Sequence, residues 1–313
     1  MNDVYTLADL EKWSGIDKKT DRPIRLGVIG DPVAHSLSPQ MQNAALEHCQ
    51  IKMAYARFQI STEELPETLK RMRDLDFVGA NLTRPHKIKA LPLIDELSPE
   101  TKRIGAVNTL RLTKGVWHGY NTDGGGFSHA IREEFSVDLR DLRVLLLGTG
   151  GVARAIAMQC AREDCERLVI AGRTINQAEE LTKNLRDFFV GPRVLGPVAR
   201  LQAIGWEESA FRFQVGNVDL IVNATGMGSD RSDHSPIPSR LLAPHLMIYD
   251  TIYPSRKTAL MSAAIDVGAR AANGLSMLLH QGARGFELWF GREAPVEVMR
   301  RQLVSAAIST GPE

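Results

Sequence analysis

The sequence predicts an α/β protein of two domains, and three observations support this prediction. The chain of 313 residues is long enough to form two hydrophobic cores. Its first half alternates short apolar strands with helices, which is typical of a mainly parallel sheet with right-handed crossovers. A glycine motif typical of dinucleotide-binding domains begins only at Gly148, so the first half of the chain forms a domain of its own.

The first half contains three predicted strands and three predicted helices that alternate along the chain. The strands are at 25–30, 54–60 and 77–82, and the helices are at 38–46, 62–72 and 87–93. Ser38 is predicted to cap the first of these helices, with Pro39 at its first helical position. Residues 1–23 are polar and lack a clear strand, so we expect an appended arm with a short helix at 7–13.

The glycine motif follows an apolar strand at 143–147 and precedes an alanine-rich helix, as Gly148-x-Gly150-x-x-Ala153. The first glycine permits a tight turn, the second lets the backbone approach a pyrophosphate, and the small third residue lets helix and strand pack closely. The helix N-terminus then faces the phosphates. A strand, turn and helix can carry two glycines for structural reasons alone, so the motif needs support from the next strand.

The next predicted strand, at 167–171, runs directly into Gly172-Arg173-Thr174, and no acidic residue follows until Glu179. An acidic residue at this strand end suits a free ribose 2′-hydroxyl, whereas an arginine and a hydroxyl suit a 2′-phosphate. The sequence therefore favours NADP over NAD. The alternative for Arg173 is an ordinary solvated charge in a loop.

Composition and charge agree with a soluble, globular enzyme. Hydrophobic residues make up 43% and charged residues 24%, and the net charge of +1 argues against a nucleic acid or a membrane as the main partner. Cys49, Cys160 and Cys165 show neither a metal-ligand spacing nor a disulfide framework. No secretory signal is visible at the start. We expect a cytoplasmic monomer or homodimer that acts on a small molecule without a metal ion.

Polar side chains follow the predicted strands of the first half, where ligands bind in open α/β sheets. These residues are His35, Ser36, Ser38, Asn81, Thr83, Lys87, Asn108, Asn121 and Asp123. Each alone has a structural explanation as a helix cap, a turn residue or a solvated lysine. Together, the hydroxyls, amides, one lysine and one aspartate predict a site for a small polyhydroxylated anion.

Several stretches of the chain together resemble the motifs of the shikimate dehydrogenase family. They occur in order between about residue 24 and residue 290, at 30–39, 79–87, 105–109, 121–124, 223–228, 249–253 and 273–281. Any one of these motifs is weak evidence, but the ordered set is specific. The chain departs from the family pattern at Gln42 and His86, and it lacks a second basic residue near Gln177.

The resemblance implies a fold with two domains and an active site in the cleft between them. An N-terminal substrate domain with a mainly parallel sheet would comprise 24–123 and 274–313. A Rossmann-type NADP-binding domain would comprise 124–273.

The resemblance also implies residue roles and a reaction. The catalytic pair would be Lys87 and Asp123. Substrate would be bound by Ser36 and Ser38, which match carboxylate-binding serines, and by Asn81, Thr83, Asn108, Tyr253 and Gln281. The cofactor would be bound by Gly148, Gly150, Gly151, Val152, Ala153, Arg154, Arg173, Thr174, Ala224, Thr225, Met227, Thr251, Gly274 and Met277. The implied reaction is reversible, NADPH-dependent reduction of 3-dehydroshikimate to shikimate in aromatic amino-acid biosynthesis.

Other functions stay open at this point. A quinate/shikimate dehydrogenase that uses NAD or NADP would share nearly every motif, and an aminoshikimate-type enzyme is a further alternative. A non-catalytic sensor of shikimate-like ligands belongs to a different class. The presence of both Lys87 and Asp123 argues against the sensor, because a protein that only binds its ligand need not keep an acid–base pair.

Overall fold

The computed structural model describes residues 4–190, 199–228, 234–253 and 257–309. The described chain divides into two compact units. The first unit runs through Thr122 and also includes Leu279–Ser309, and the second unit is Asp123–Leu278. The chain therefore returns to the first unit at Leu279, whereas the family resemblance implies a return at position 274.

The first unit begins with an alternation of helices and strands. Its elements up to Thr122 are α1 Leu7–Glu11, α2 Trp13–Asp17, β1 Ile24–Gly30, α3 Ser38–His48, β2 Ala54–Gln59, α4 Leu65–Asp74, β3 Gly79–Leu82, α5 His86–Lys89, β4 Glu96–Leu97, α6 Pro99–Ile104, β5 Thr109–Thr113 and β6 Val116–Tyr120. The six-stranded sheet has the order β2-β1-β3-β5-β6-β4. Only β5 runs antiparallel to its neighbours, so the sheet is mainly parallel, as predicted.

Two predicted helices of the first unit differ in detail from the structure. Ser38 is the first residue of α3 rather than its cap, and the capping position is occupied by Leu37, which makes no side-chain capping bond. The helix predicted at 87–93 ends early, as α5, and is followed by a separate 3-10 turn, Leu91–Leu93. Pro92 explains the break, because a proline inside a helix removes a hydrogen bond and clashes with the preceding turn.

The N-terminal segment is an integral part of the first unit. Tyr5 pairs with Phe58 in a parallel bridge at the free edge of β2. Trp13, only 2% exposed, lies in the same hydrophobic cluster as Phe58 and Phe77. The predicted short helix is two helices, α1 and α2. The expectation of an appended arm missed these contacts because the aromatic partners lie far along the chain.

The second unit is a doubly wound sheet with helices between its strands. Its elements are α7 Asp123–Phe135, β7 Arg143–Leu147, α8 Gly151–Arg162, β8 Arg167–Ala171, α9 Ile175–Leu185, β9 Leu201–Ile204, α10 Glu208–Val215, β10 Leu220–Asn223, β11 Met247–Asp250, α11 Ala259–Asp266 and β12 Arg270–Asn273. All pairs in the order β12-β11-β10-β7-β8-β9 are parallel. The strand order reverses between β7 and β10, which is the Rossmann topology that the sequence predicts.

Two C-terminal helices complete the fold, α12 Leu275–Phe290 and α13 Val296–Ser309. In the first unit, the Trp289 indole donates to the Leu110 carbonyl at 2.9 Å. A Cβ at Gly79 would lie 2.2 Å from the indole nitrogen, so only glycine lets α12 approach this strand closely. Among the described helices, none is both long and apolar enough to cross a membrane.

Candidate active site

A buried amide network lies in the first unit, where β3 meets β5. The Asn81 amide nitrogen donates to the Asn108 carbonyl at 3.3 Å and to the Thr109 hydroxyl at 3.0 Å. The side-chain oxygen of Asn81, Oδ1, accepts a hydrogen bond of 2.8 Å from the Tyr55 hydroxyl. These bonds fix which end of the amide faces which neighbour, since a reversed amide would place its oxygen against the Asn108 carbonyl.

Asn108 extends this network to the C-terminal part of the first unit. Its amide nitrogen donates to the Thr122 hydroxyl at 3.0 Å and to Gln281 Oε1 at 3.2 Å. Its Oδ1 accepts from the Thr122 N–H at 2.8 Å and from the Thr109 hydroxyl at 3.0 Å. The structure therefore brings together three predicted substrate residues that are distant in sequence, namely Asn81, Asn108 and Gln281.

Other predicted substrate residues lie where β1 and β3 end. Ser36 lies in the connection from β1 to α3 and is 8% exposed, and Ser38, the first residue of α3, is 5% exposed. The Thr83 N–H donates to the Ile29 carbonyl at 2.9 Å, which places Thr83 directly beside the end of β1. A Cβ at Gly30 would lie 2.3 Å from the Thr83 methyl, so a glycine is required there.

The two predicted catalytic residues belong to different units. Lys87 is half-buried in α5, and its carbonyl accepts a 2.7 Å hydrogen bond from the Val107 N–H, directly before Asn108. Asp123 is the first residue of α7 and of the second unit. Tyr253 is half-buried and also belongs to the second unit, after β11. The roles of Lys87, Asp123 and Tyr253 stay predictions.

The glycine motif adopts the geometry that a dinucleotide requires. Gly148 has φ +114°, which disfavours any residue with a side chain, and its Cβ would lie 3.0 Å from the Ala224 carbonyl oxygen. Gly150 precedes α8, and a Cβ added there would meet nothing within 4 Å. Gly151 and Val152 open the helix, and Ala153 is fully buried against the sheet. The space over Gly150 and the free N–H groups of the first turn fit a diphosphate.

The end of β8 presents the groups predicted for a 2′-phosphate. The side chains of Arg173 and Thr174 are exposed, and Thr174 stands at the N-cap of α9 without making a side-chain capping bond. Arg154, on the first turn of α8, is half-buried, and its Nε makes no hydrogen bond although that atom is buried. An arginine fork, a hydroxyl and a helix N-terminus fit a phosphate dianion.

A second buried network joins the loops that follow β10 and β11. The Asn223 amide donates to Asp250 Oδ1 and to the Met227 carbonyl, both at 3.0 Å. The Asp250 carboxylate also accepts from the Ile252 N–H at 3.1 Å and from the Thr258 hydroxyl at 2.7 Å. Burial raises the pKa of Asp250, and the donors from Thr258, Ile252 and Asn223 oppose that rise.

Most of the remaining predicted cofactor residues lie at the same edge of the sheet as this network. Asn223 Oδ1 accepts from the N–H of Thr225 at 3.1 Å and from its hydroxyl at 2.7 Å. A Cβ at Gly274 would lie 2.3 Å from the Thr251 carbonyl oxygen, so β12 approaches the β11 loop closely. The Met277 N–H donates to the Tyr249 hydroxyl at 3.2 Å. The strand ends are level in register, which places Ala224, Thr225, Met227, Thr251 and Gly274 along one edge.

Sequence reasoning did not single out several residues that organise these networks. They are Tyr55, Thr109 and Thr122 in the first unit, and Asn223 and Asp250 in the second. The sequence pattern that could have identified two of them is a polar residue at the end of an apolar strand, as at Asn223 and Asp250. In the described part of the chain, no three histidine, cysteine, aspartate or glutamate side chains are grouped so as to hold a metal ion.

Comparison with known proteins identifies the family. Three family models match the chain: the shikimate dehydrogenase substrate binding domain at 28–110, shikimate / quinate 5-dehydrogenase at 130–193, and the shikimate 5'-dehydrogenase C-terminal domain at 274–304. The shikimate dehydrogenase (NADP(+)) of Methanopyrus kandleri is 39% identical over 281 residues, which cover 89% of this chain and 94% of the relative.

Solved structures agree with this comparison. Shikimate 5-dehydrogenase from Thermus thermophilus, in complex with NADP(H) and shikimate, has a TM-score of 0.78 and 34% identity, covering 90% of this chain and 99% of that one. Quinate dehydrogenase from Corynebacterium glutamicum, in complex with NAD, has a TM-score of 0.77 and 27% identity, with coverage of 90% and 99%.

The fold and these comparisons define an oxidoreductase that acts on a CH–OH group with a nicotinamide cofactor. The chain belongs to the shikimate dehydrogenase family. This confirms the family resemblance, the fold class and the NADP class of cofactor that the sequence predicts.

Proposed function

We propose that this chain catalyses the reversible, NADPH-dependent reduction of 3-dehydroshikimate to shikimate, within the biosynthesis of aromatic amino acids. The observation that carries this proposal is the buried Asn81–Asn108–Gln281 network beside the ends of β1 and β3. A fixed set of amides and hydroxyls suits a ring with several hydroxyl groups. Each ring hydroxyl loses its hydrogen bonds to water on binding, and these protein groups replace those bonds.

Ser36 and Ser38 bind the substrate carboxylate through their hydroxyls, while Asn81, Thr83, Asn108, Gln281 and Tyr253 bind the ring. The hydrogen bonds of the Asn81 side chain support a specific role for this residue. Its amide hydrogens are engaged by Asn108 and Thr109, so the group it offers a ligand is the second lone pair of Oδ1. Asn81 therefore accepts a hydrogen bond from a substrate hydroxyl rather than donating one.

Lys87 and Asp123 carry out the proton transfer. Bound NADP supplies the nicotinamide ring that takes or returns the hydride at C3 of the substrate. During reduction, Lys87 gives a proton to the oxygen on C3, and during oxidation it takes that proton back. Asp123 accepts a hydrogen bond from the same hydroxyl and thereby orients it.

The chain's own residues hold the cofactor at three places. Gly148, Gly150, Gly151, Val152 and Ala153 receive the diphosphate, and Arg154, Arg173 and Thr174 receive the 2′-phosphate. The remaining set of Ala224, Thr225, Met227, Thr251, Gly274 and Met277 lines the nicotinamide side.

Initial rates with shikimate and quinate, each with NADP⁺ and NAD⁺, test the proposal. We expect the shikimate–NADP⁺ pair to give the highest kcat/KM. Equal or better rates with quinate or NAD⁺ would favour the second candidate, a quinate/shikimate dehydrogenase. The similarity to the Corynebacterium structure supports this second candidate. Binding of shikimate without turnover in any pair would favour the sensor instead.

Three further statements stay predictions. They are the cytoplasmic location, the monomeric or homodimeric state, and the lack of a nucleic-acid partner. Sedimentation of the purified protein tests the second of these.

A further inference from the structure

We propose that Arg57 is a positioning residue for substrate binding. Its side chain holds the loop of Ser36 and Ser38 in place. The positive charge of the guanidinium lies beside that loop and favours a carboxylate ligand. This inference rests on the proposed function, because it assumes that these serines bind the carboxylate. We call residues 35–38 the serine loop.

The guanidinium of Arg57 ties the serine loop to the helix that follows it. Nε and Nη2 both donate to the Ser36 carbonyl, at 2.9 and 2.7 Å, and Nη2 also donates to Gln40 Oε1 at 3.0 Å. Arg57 thus bonds to residues on both sides of Ser38. Hydrogen bonds from a charged donor are stronger than neutral ones, so this contact fixes the path of the backbone.

Only the last residue of the serine loop, Ser38, belongs to a helix, and the rest of the loop lies outside secondary structure. Residues 31–37, which connect β1 to α3, form no strand and no helix, and the Ser36 N–H bonds within a turn, to the Val33 carbonyl at 3.0 Å. The hydroxyls of Ser36 and Ser38 depend on this backbone for their direction. Loss of the Arg57 bonds would therefore release the groups that receive the ligand.

Arg57 itself is anchored on both sides. It lies in β2, where it pairs with Val28 of β1. At the opposite edge, the Tyr5 N–H donates to the Arg57 carbonyl at 2.9 Å, and the Gln59 N–H donates to the Tyr5 carbonyl at 2.8 Å. The N-terminal segment thus gives β2 a hydrogen-bonded partner at its outer edge, which helps to hold the strand that bears Arg57.

The neighbouring side chain on the same face of β2 has a parallel role. Residues two apart in a strand point to the same face, so Tyr55 and Arg57 project together. The hydroxyl of Tyr55 bonds to Asn81, while the guanidinium of Arg57 bonds to the serine loop. The Asn43 side chain bonds to both the N–H and the carbonyl of Tyr55, at 2.8 and 2.9 Å. One face of β2 therefore supports both the amide and the serine parts of the site.

The charge of Arg57 gives the inference a specific test. Serine hydroxyls supply hydrogen bonds to a carboxylate but no charge, whereas a partly buried guanidinium attracts any anion held nearby. A neutral ester of the same ring would keep the hydroxyl contacts and lose this attraction. A merely structural arginine would affect acid and ester equally.

The experiment compares wild type, Arg57→Gln and Arg57→Lys, with Arg22→Gln as a matched control. Arg22 is in the same unit and pairs loosely with Glu47 at 3.8 Å. Calorimetry gives the Kd of shikimate, shikimate methyl ester and NADP⁺, and steady-state rates give KM and kcat. For Arg57→Gln we expect the Kd and KM of shikimate to rise about tenfold, because the acid loses both the positioned serines and the attraction of the charge. The Kd of the ester should rise clearly less, because the ester loses only the positioned serines, while kcat and NADP⁺ binding change less than about twofold. The Kd of shikimate for Arg57→Lys should lie between the values for wild type and Arg57→Gln. The Kd for Arg22→Gln should match that of wild type.

Two outcomes would overturn the inference. One is unchanged shikimate binding in Arg57→Gln, and the other is an equal loss for the acid and the ester. Because calorimetry needs no turnover, wild type that binds shikimate without oxidising it would refute the proposed activity and still leave Arg57 open to this test. Wild type that does not bind shikimate would overturn both proposals.

Discussion

Asn223 and Asp250 form a hydrogen bond of 3.0 Å between two side chains with no solvent exposure, at the ends of adjacent parallel strands. The same two side chains also bind the backbone of Thr225, Met227 and Ile252. The second carboxylate oxygen of Asp250 accepts from the Thr258 hydroxyl. The pair therefore ties two loops of the second unit to the sheet, and these loops carry residues that we assign to the cofactor.

Replacement of Asp250 should cost both stability and cofactor affinity. Asp250→Ala leaves donors from Asn223, Ile252 and Thr258 unpaired in a buried place, and we expect a loss of roughly 3 kcal/mol in the free energy of unfolding. Asp250→Asn keeps the shape and one acceptor, so it should lose about 1 kcal/mol or less. Urea unfolding and calorimetric titration with NADP⁺ measure the two effects, and unchanged NADP⁺ binding in Asp250→Ala would contradict the assignment.

Asp250 should also contribute a pH-dependent part of stability. Burial raises its pKa in the folded protein above the ordinary value of 3.8. The folded state then binds the proton more tightly than the unfolded state, so the contribution is full at low pH and is lost as pH rises through the raised pKa. The stability advantage of wild type over Asp250→Asn should therefore shrink as the pH rises above about 4. A gap that is constant or widens with pH would show that this carboxyl does not titrate as described.

Lys87→Ala should lose turnover far more than substrate affinity. In the proposed mechanism the lysine acts on the proton of the reacting hydroxyl, a contribution typically of about 10²–10⁴-fold. The serines and amides that we assign to shikimate stay in place in this variant. Steady-state rates and calorimetry with shikimate separate the two effects. Near-normal kcat in this variant would refute the assignment, and Lys89→Ala, in the same short helix, is the control.

Arg173→Gln should weaken NADP⁺ binding without weakening NAD⁺ binding. A hydrogen-bonded charge on the 2′-phosphate is worth about 1.5–3 kcal/mol, so the Kd of NADP⁺ should rise by about 10-fold or more. Lys183→Gln, at the far end of α9, should leave both affinities unchanged. If Arg173→Gln lowers the affinities for both cofactors equally, Arg173 does not recognise the 2′-phosphate.

The N-terminal segment should be essential for the stability of the first unit. Trp13 packs against Tyr5, Phe58 and Phe77 at centroid distances of 5.2–5.7 Å. Trp13→Ala should therefore cost about 3–5 kcal/mol, as is usual when a buried aromatic is removed. Urea unfolding measures the cost, with the exposed Lys18→Ala as a control. If Trp13→Ala loses no more free energy of unfolding than Lys18→Ala, the N-terminal segment is an appended arm, as its polar composition suggests.

The sequence predicted best those elements whose formation depends on neighbouring residues in the chain. Strand β1 and the turn at Gly148 follow from an apolar run that ends in small residues, and the fold class follows from their alternation. The role of Trp13 was not predictable, because its partners Phe58 and Phe77 are brought to it only by folding. The pairing of Asn223 with Asp250 likewise depends on two strands becoming neighbours.

The candidate site shows the same limit. The motifs predict Asn81, Asn108 and Gln281 as site residues, but they do not predict the hydrogen bonds that fix the three side-chain amides. Tyr55 and Arg57 stand in a strand that carries no residue of the motifs, so nothing in their immediate neighbourhood points to the site. Their relevance comes from the period of two along β2, which turns both side chains to one face.

The most direct test of the central claim follows the hydride itself. The enzyme is incubated with NADP⁺ and shikimate that carries deuterium at C3, and both products are analysed by mass spectrometry. We expect the deuterium in the reduced cofactor and 3-dehydroshikimate as the other product, in equal amounts. Reduced cofactor without deuterium, or oxidation at another carbon of the ring, would contradict the proposed reaction.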